Sequence, residues 1–174
     1  KWARAAELRP DELQTELTDT FFRYGFTHVF DLGSPHENTN TLRARTTQDV
    51  MGPEIFTTGE AILPTGGAPS ADVLRMMGVM PLGAPEVSDQ NEMYDAARRL
   101  LTSGVAGLKL FASAQRIVMP ENVLSTAVAE ARRANVPLFV HPNTGEDVAT
   151  ALRAGADVIA HTTPASGPWS PEMM

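Results

Sequence analysis

The sequence contains no cysteine, which excludes a disulfide framework and a thiolate metal site. It has no stretch approaching the roughly 18 uninterrupted apolar residues that a membrane-spanning helix needs, so no membrane partner is expected. It has no run of lysine and arginine, and its formal net charge is -7, which argues against a surface tracking a phosphate backbone; nucleic acid is not an expected partner. Neither a GxGxxG turn nor a P-loop is present, and Gly66-Gly67 alone is too short a signal for a phosphate cradle. The first residue is Lys1 rather than methionine, and both a cytoplasmic and an exported, periplasmic location stay open. What is there has ordinary globular proportions. With 174 residues, 43% hydrophobic and 20% charged, the chain can bury one core, and a single domain over 1–174 is expected.

One stretch stands out, Ser103-Gly-Val-Ala-Gly-Leu-Lys-Leu-Phe-Ala-Ser113, an apolar run with Lys109 in its middle. An ammonium survives among Leu108, Leu110 and Phe111 only if it is paired, neutralised or used in chemistry. Two later runs end on histidine, Val136-Pro-Leu-Phe-Val-His141 and Ala156-Asp-Val-Ile-Ala-His161. Each of the three runs delivers one ligand-type side chain.

The rest of the chain alternates helix-type and strand-type patterns. Pro10-Asp-Glu12 starts a helix with Leu13, Leu17 and Phe21 at a spacing of four, ended by Gly25. Phe26–Leu32 reads as a strand, 38–50 as a weak helix, and Glu54–Thr58 as a second strand. The segment 59–85 is rich in proline and glycine and is expected to be a loop or lid, since long loops in compact domains are usually functional. A helix capped by Ser88 follows, with Met93, Ala96, Ala97, Leu100 and Leu101 on its buried stripe. After the lysine strand a polar link leads to Pro120-Glu121, which opens a helix burying Val123, Leu124, Ala127, Val128 and Ala131. Thr144-Gly-Glu-Asp147 is a capping box with Asp where Glu or Gln is usual, and 164–174 is expected to be an irregular tail.

Helix, glycine, strand recurs before His28, Lys109 and His161, which implies a parallel sheet with right-handed crossovers. An open doubly wound sheet and a barrel both fit that pattern. Strand parity favours the barrel: Phe139 and His141 share one face, Ile159 and His161 share another, and both histidines can point into one interior beside Lys109. Lys109 precedes His141 by 32 residues, and His141 precedes His161 by 20, spacings that consecutive βα units produce.

Taken singly, these residues have other readings. A lone strand histidine is commonly a hydrogen-bonded core residue, and Lys109 could snorkel or act as the desolvated Schiff-base amine of a lyase or aldolase-type barrel. A non-catalytic barrel fragment or small-molecule binding domain is a third possibility. His28 reads as structural and Asp31 as a loop-capping carboxylate, while His36, in the loop after the first strand, is placed to meet substrate.

The runs 25–34, 53–62, 107–113, 139–141 and 151–161 resemble successive strands of the amidohydrolase superfamily, most closely its imidazolonepropionase-like members. The resemblance implies an incomplete (β/α)8 TIM-type barrel covering about strands 2 to 6, since a full barrel takes roughly 250 residues. It implies that Lys109 is a lysine carboxylated by CO2 that bridges metal ions, and that His141 and His161 are metal ligands. The cofactor so implied is one or two divalent ions, zinc by type, together with the carbamate on Lys109. The activity implied is hydrolysis of an amide, lactam or dipeptide C–N bond of a small-molecule substrate by metal-activated water. The general-base aspartate and a His-x-His pair of the family fall outside this chain, so the segment alone is expected to be inactive. Remaining barrel segments or a homo-oligomer are its expected protein partners. Pro142-Asn143 and Thr162-Thr163-Pro164 depart from the family pattern, where a further histidine and a glycine are commoner.

Overall fold

The computed structural model describes residues 7–67, 83–161 and 171. Helix α1, Pro10–Thr20, begins where proline needs no donor, with the Arg9 backbone N–H donating to the Glu12 carboxylate at 3.0 Å. Leu13 and Leu17 are fully buried, and one 3-10 turn, Phe22–Tyr24, closes on Gly25 at φ +80°. Strand β1, His28–Asp31, is followed by α2, His36–Gln48, which starts two residues before the expected boundary. Strand β2, Glu54–Thr57, pairs parallel to β1 with Phe30 opposite Phe56.

The segment expected to be a loop or lid, 59–85, falls largely on residues 68–82, outside the described residues. Its near flank carries β3, Leu63–Pro64, which pairs parallel with β4, Glu86–Val87. Helix α3, Gln90–Thr102, is capped by Asp89 rather than Ser88: the Asp89 carboxylate accepts the N–H groups of Asn91 and Glu92 at 2.8 and 2.9 Å. Ser88 instead donates its N–H and hydroxyl to Glu92. Both residues favour caps, and the carboxylate at the positive helix end is the stronger acceptor. Strand β5 is Leu108–Phe111.

The expected polar link is a small antiparallel hairpin, β6, Ser113–Ala114, with β7, Ile117–Val118. Its turn residues, Gln115 and Arg116, have φ of 49° and 69°, the left-handed pair that a two-residue hairpin turn requires. Helix α4, Glu121–Ala134, leads to β8, Leu138–His141; α5, Gly145–Ala154, leads to β9, Val158–Ile159. The capping box of α5 forms as the sequence predicts, with Thr144 and Asp147 bonded reciprocally. Of the expected irregular tail, only Pro171 lies within the described residues.

Strands β5, β8 and β9 form a parallel sheet in that order. Hydrogen bonds join it to the β1–β2 pair: Ala106 N–H donates to the Thr57 carbonyl, Ile62 N–H to that of Lys109, and Phe111 N–H to that of Ile62, at 2.8, 2.8 and 3.0 Å. The parallel strands therefore follow one another in chain order, β1-β2-β5-β8-β9, without the reversal that defines a doubly wound sheet. Among the described residues this wall does not close into a barrel.

The two faces of the wall differ. Leu108, Leu110, Leu138 and Val140 pack beneath α3, α4 and α5 with Met93, Leu100, Leu124 and Ala151, forming the main core. A smaller core joins Leu13, Leu17, Leu42 and Ile55 under α1 and α2. On the opposite face lie Phe30, Phe56, Phe139, Lys109 and Phe111, with Phe30 and Phe139 centroids 4.8 Å apart. Gly107 makes that aromatic contact possible, because a Cβ there would sit 3.1 Å from the Phe139 ring and 3.2 Å from Phe30.

Candidate functional site

Lys109 lies level with Phe139 and Val158 in the parallel register, with Phe111 level with His141 one pleat further on. Strand periodicity thus puts the lysine on the inner, aromatic face. The residue is 1% exposed, and among the described residues no carboxylate forms an ion pair with it. Burial pushes its amine down to about 8, far below an ordinary lysine. Its Nζ lies 3.4 Å from Nε2 of His161 and 5.9 Å from the Phe111 ring centroid.

The expected parity of the last strand is corrected here. Val158, not Ile159, is level with Phe139, and Ile159 packs with the core beneath the helices. A straight continuation of β9 would aim His161 toward the helices as well. His161 instead has φ +72°, a left-handed conformation uncommon for residues other than glycine, and this turn beyond the strand end brings its ring to Lys109. Such a conformation stores on the order of 1 kcal/mol and persists where its surroundings demand it.

His141 completes the group. Its ring stacks on Phe111 at 4.2 Å between centroids and meets the His161 ring edge-on at 4.6 Å. Burial holds the His141 imidazole below its usual range, with the nearby basic groups adding to the effect and Asn143 and Asp147 opposing it. Burial and then Lys109 depress His161 in the same direction. Three nitrogen bases therefore converge on a site that disfavours their protonated forms, the lysine reaching its neutral form only above about pH 8. Among the described residues no cluster of three His, Asp or Glu side chains is arranged to hold a metal ion; the donors here are two histidines and a lysine. The set fits a divalent ion if the lysine becomes an anion, because neutral imidazoles and an anionic oxygen donor are ordinary ligands for such an ion.

Residues that the sequence did not assign to the site support His141 from behind. Nε2 of His141 lies 3.3 Å from Oδ1 of Asn143, whose Nδ2 donates to the Ser113 carbonyl at 2.7 Å. The Asp147 carboxylate, 4% exposed, accepts the Ser113 hydroxyl at 2.6 Å and the Asn143 N–H at 2.8 Å. The capping-box reading of Asp147 was the available signal: a carboxylate that folds back on its own helix start also lies under the loop after β8.

His36 is not brought to this group. It is the first residue of α2 rather than a loop residue, its backbone N–H donates to the Glu60 carboxylate at 3.0 Å, and its Nε2 lies 3.0 Å from the Ser103 carbonyl. Asp31 caps the loop as expected, accepting from Ser34 Oγ and Thr39 Oγ1 at 2.9 and 2.5 Å. His28 pairs with Glu54 at 3.3 Å on an exposed edge.

No protein-family model matches the chain, and no curated protein matches it either. Solved structures do match. A Xaa-Pro dipeptidase with methionine bound in its active site is similar with a TM-score of 0.67 at 24% identity, over 85% of this chain and 39% of that one. Molinate hydrolase matches with a TM-score of 0.67 at 21% identity, over 98% of this chain and 45% of its own. Ochratoxinase of A. niger gives 0.62 at 21%, over 90% of this chain and 42% of its own. The chain thus spans less than half the length of each of these proteins. At such identities the likeness is one of fold: this chain has the fold of a part of each of these solved structures.

Proposed function

We propose that this chain forms strands 2 to 6 of an amidohydrolase-type barrel, and that the complete protein is a metal-dependent hydrolase of a C–N bond in a small-molecule amide, lactam or dipeptide. The observation that carries this reading is Lys109: a buried amine with no carboxylate partner among the described residues, 3.4 Å from one histidine nitrogen and on the same face as a second histidine. The hydrolytic enzymes among its structural neighbours support the reaction class.

Lys109, as its carbamate, together with His141 and His161 would hold the ion. Bound there, a divalent ion of zinc type would supply Lewis acidity toward a carbonyl and a water acidified toward neutrality. The chain's own contribution begins at the Lys109 amine, which burial keeps available in its neutral form near pH 8. Its nitrogen lone pair adds to the carbon of CO2 and the N–H proton leaves to solvent, so an anion replaces a buried cation. Phe111 fixes the plane of the His141 ring by stacking, and the left-handed turn at His161 sets the second imidazole against the lysine. Phe30, Phe56 and Phe139 floor the inner face with apolar surface, which lowers the local dielectric and strengthens charge interactions above it. The general-base aspartate is assigned to a later strand.

The complete protein is expected to hydrolyse Xaa-Pro dipeptides or related amides, to lose that activity on chelation, and to regain it with zinc. Activity that survives exhaustive chelation, or a Lys109→Ala variant as active as the parent, would remove the reading. The lowered amine pKa also suits a Schiff-base lysine. Borohydride trapping of a carbonyl substrate separates the two, since only the Schiff-base chemistry leaves a covalent label on Lys109.

A further inference from the structure

The loop after β8 holds one side chain more firmly than its exposed position requires. Asn143 donates through Nδ2 to the Ser113 backbone carbonyl at 2.7 Å, and Nδ2 lies 3.3 Å from the Ser113 hydroxyl oxygen. The Asn143 backbone N–H donates to the Asp147 carboxylate at 2.8 Å. That carboxylate is itself buried and takes the Ser113 hydroxyl at 2.6 Å and the Thr144 N–H at 3.0 Å. With its hydroxyl hydrogen committed to Asp147, Ser113 meets the amide of Asn143 with acceptor atoms only.

The orientation of the amide follows from that commitment. A backbone carbonyl can only accept, so the NH2 group of Asn143 must face Ser113 and the amide oxygen must face away. What it faces is Nε2 of His141, at 3.3 Å. An amide oxygen also can only accept, so the hydrogen of the neutral imidazole must sit on Nε2. We propose that Asn143 is a positioning residue that fixes His141 as its Nε2–H tautomer, leaving Nδ1 as the nitrogen with the free lone pair.

The chain of constraint runs Asp147 to Ser113 to Asn143 to His141, and every link joins a donor to an acceptor that cannot reverse. The partners of a ligating histidine set its tautomer and ring orientation in this way. Only the use to which Nδ1 is put rests on the proposed metal chemistry; the tautomer belongs to the chain itself.

The test is nitrogen NMR of the metal-free protein labelled with 15N-histidine, at a pH where the imidazoles are neutral. His141 is assigned by the signal missing from a His141→Gln variant. The expected pattern for His141 is a pyrrole-type Nε2 and a pyridine-type Nδ1. Asn143→Ala is expected to shift that pattern toward a mixture of tautomers while the backbone amide spectrum of α4 stays unchanged. A protonated Nδ1 in the parent protein, or an unchanged pattern in the folded Asn143→Ala variant, would overturn the proposal. Zinc titration supplies an independent reading, with affinity expected to fall about 10- to 100-fold in Asn143→Ala. An altered tautomer with unchanged zinc affinity would uphold the positioning role and count against His141 as a ligand, so the two hypotheses fail separately.

Discussion

Lys109→Met is expected to stabilise the metal-free protein at pH 7 by about 3 kcal/mol, an unusual direction for a substitution at a fully buried residue. The amine is pushed from an ordinary 10.5 to about 8 by burial, and each unit of such a shift corresponds to about 1.36 kcal/mol. Below pH 8 both folded and unfolded chains hold the proton, and the folded state bears the full desolvation penalty of the ammonium. Between about 8 and 10.5 the unfolded chain binds more protons than the folded one, so stability rises with pH through that window. Methionine is unbranched, nearly as long, and apolar, and it would lie on the Phe111 and Phe139 face without a charge to desolvate. Urea unfolding of parent and variant in CO2-free buffer at several pH values isolates the effect, because other titrating groups cancel in the difference. The advantage of the variant is expected to shrink as pH rises past 8. An advantage independent of pH would contradict the assignment of the penalty to the amine.

Leu110→Ala, one residue away, is expected to have the opposite effect and a similar size. Leu110 faces the main core rather than the inner face and is fully buried, at 0% solvent exposure, beneath α3 and α4 with Leu124 and Val140. Truncating such a leucine costs about 2 to 5 kcal/mol through lost burial and the cavity left behind. For a domain of this size each kilocalorie moves the thermal midpoint by roughly 2 to 4 °C, so a fall of about 10 °C is the expected reading. A neutral Leu110→Ala would mean that the two faces of β5 are assigned the wrong way round. Adjacent residues with opposite signs would show that Lys109 does not serve the stability of the metal-free protein.

Much of this layout is legible in the sequence. The helix stripes of α3 and α4 are written in Met93, Ala97, Leu124 and Ala127, because burial against one sheet face imposes the helical period. Lys109 announces itself because a charge within an apolar strand conflicts with its surroundings. The convergence of Lys109 with His141 and His161 also follows from the repeated αβ unit. The way His161 arrives does not, since parity presumes a straight strand and the ring is delivered by a left-handed turn beyond the strand end. The hairpin at Gln115-Arg116 is hidden for a related reason: both residues adopt positive φ that neither glycine nor asparagine signals. The role of Asn143, which the sequence marks only as a departure from the family pattern, is hidden for a different one. Its role depends on acceptors contributed by Ser113 and Asp147, thirty residues upstream and four downstream, which only the folded chain brings together.

The metal content of the complete protein, purified from zinc-supplemented cells and passed through gel filtration, tests the three-residue centre most directly. The parent protein is expected to retain zinc in stoichiometric amount, and the Lys109→Ala, His141→Ala and His161→Ala variants, each folded, to lose it wholly or in large part. Equal metal in the parent and in all three variants, or none in the parent, would contradict the assignment of Lys109, His141 and His161 as one metal centre.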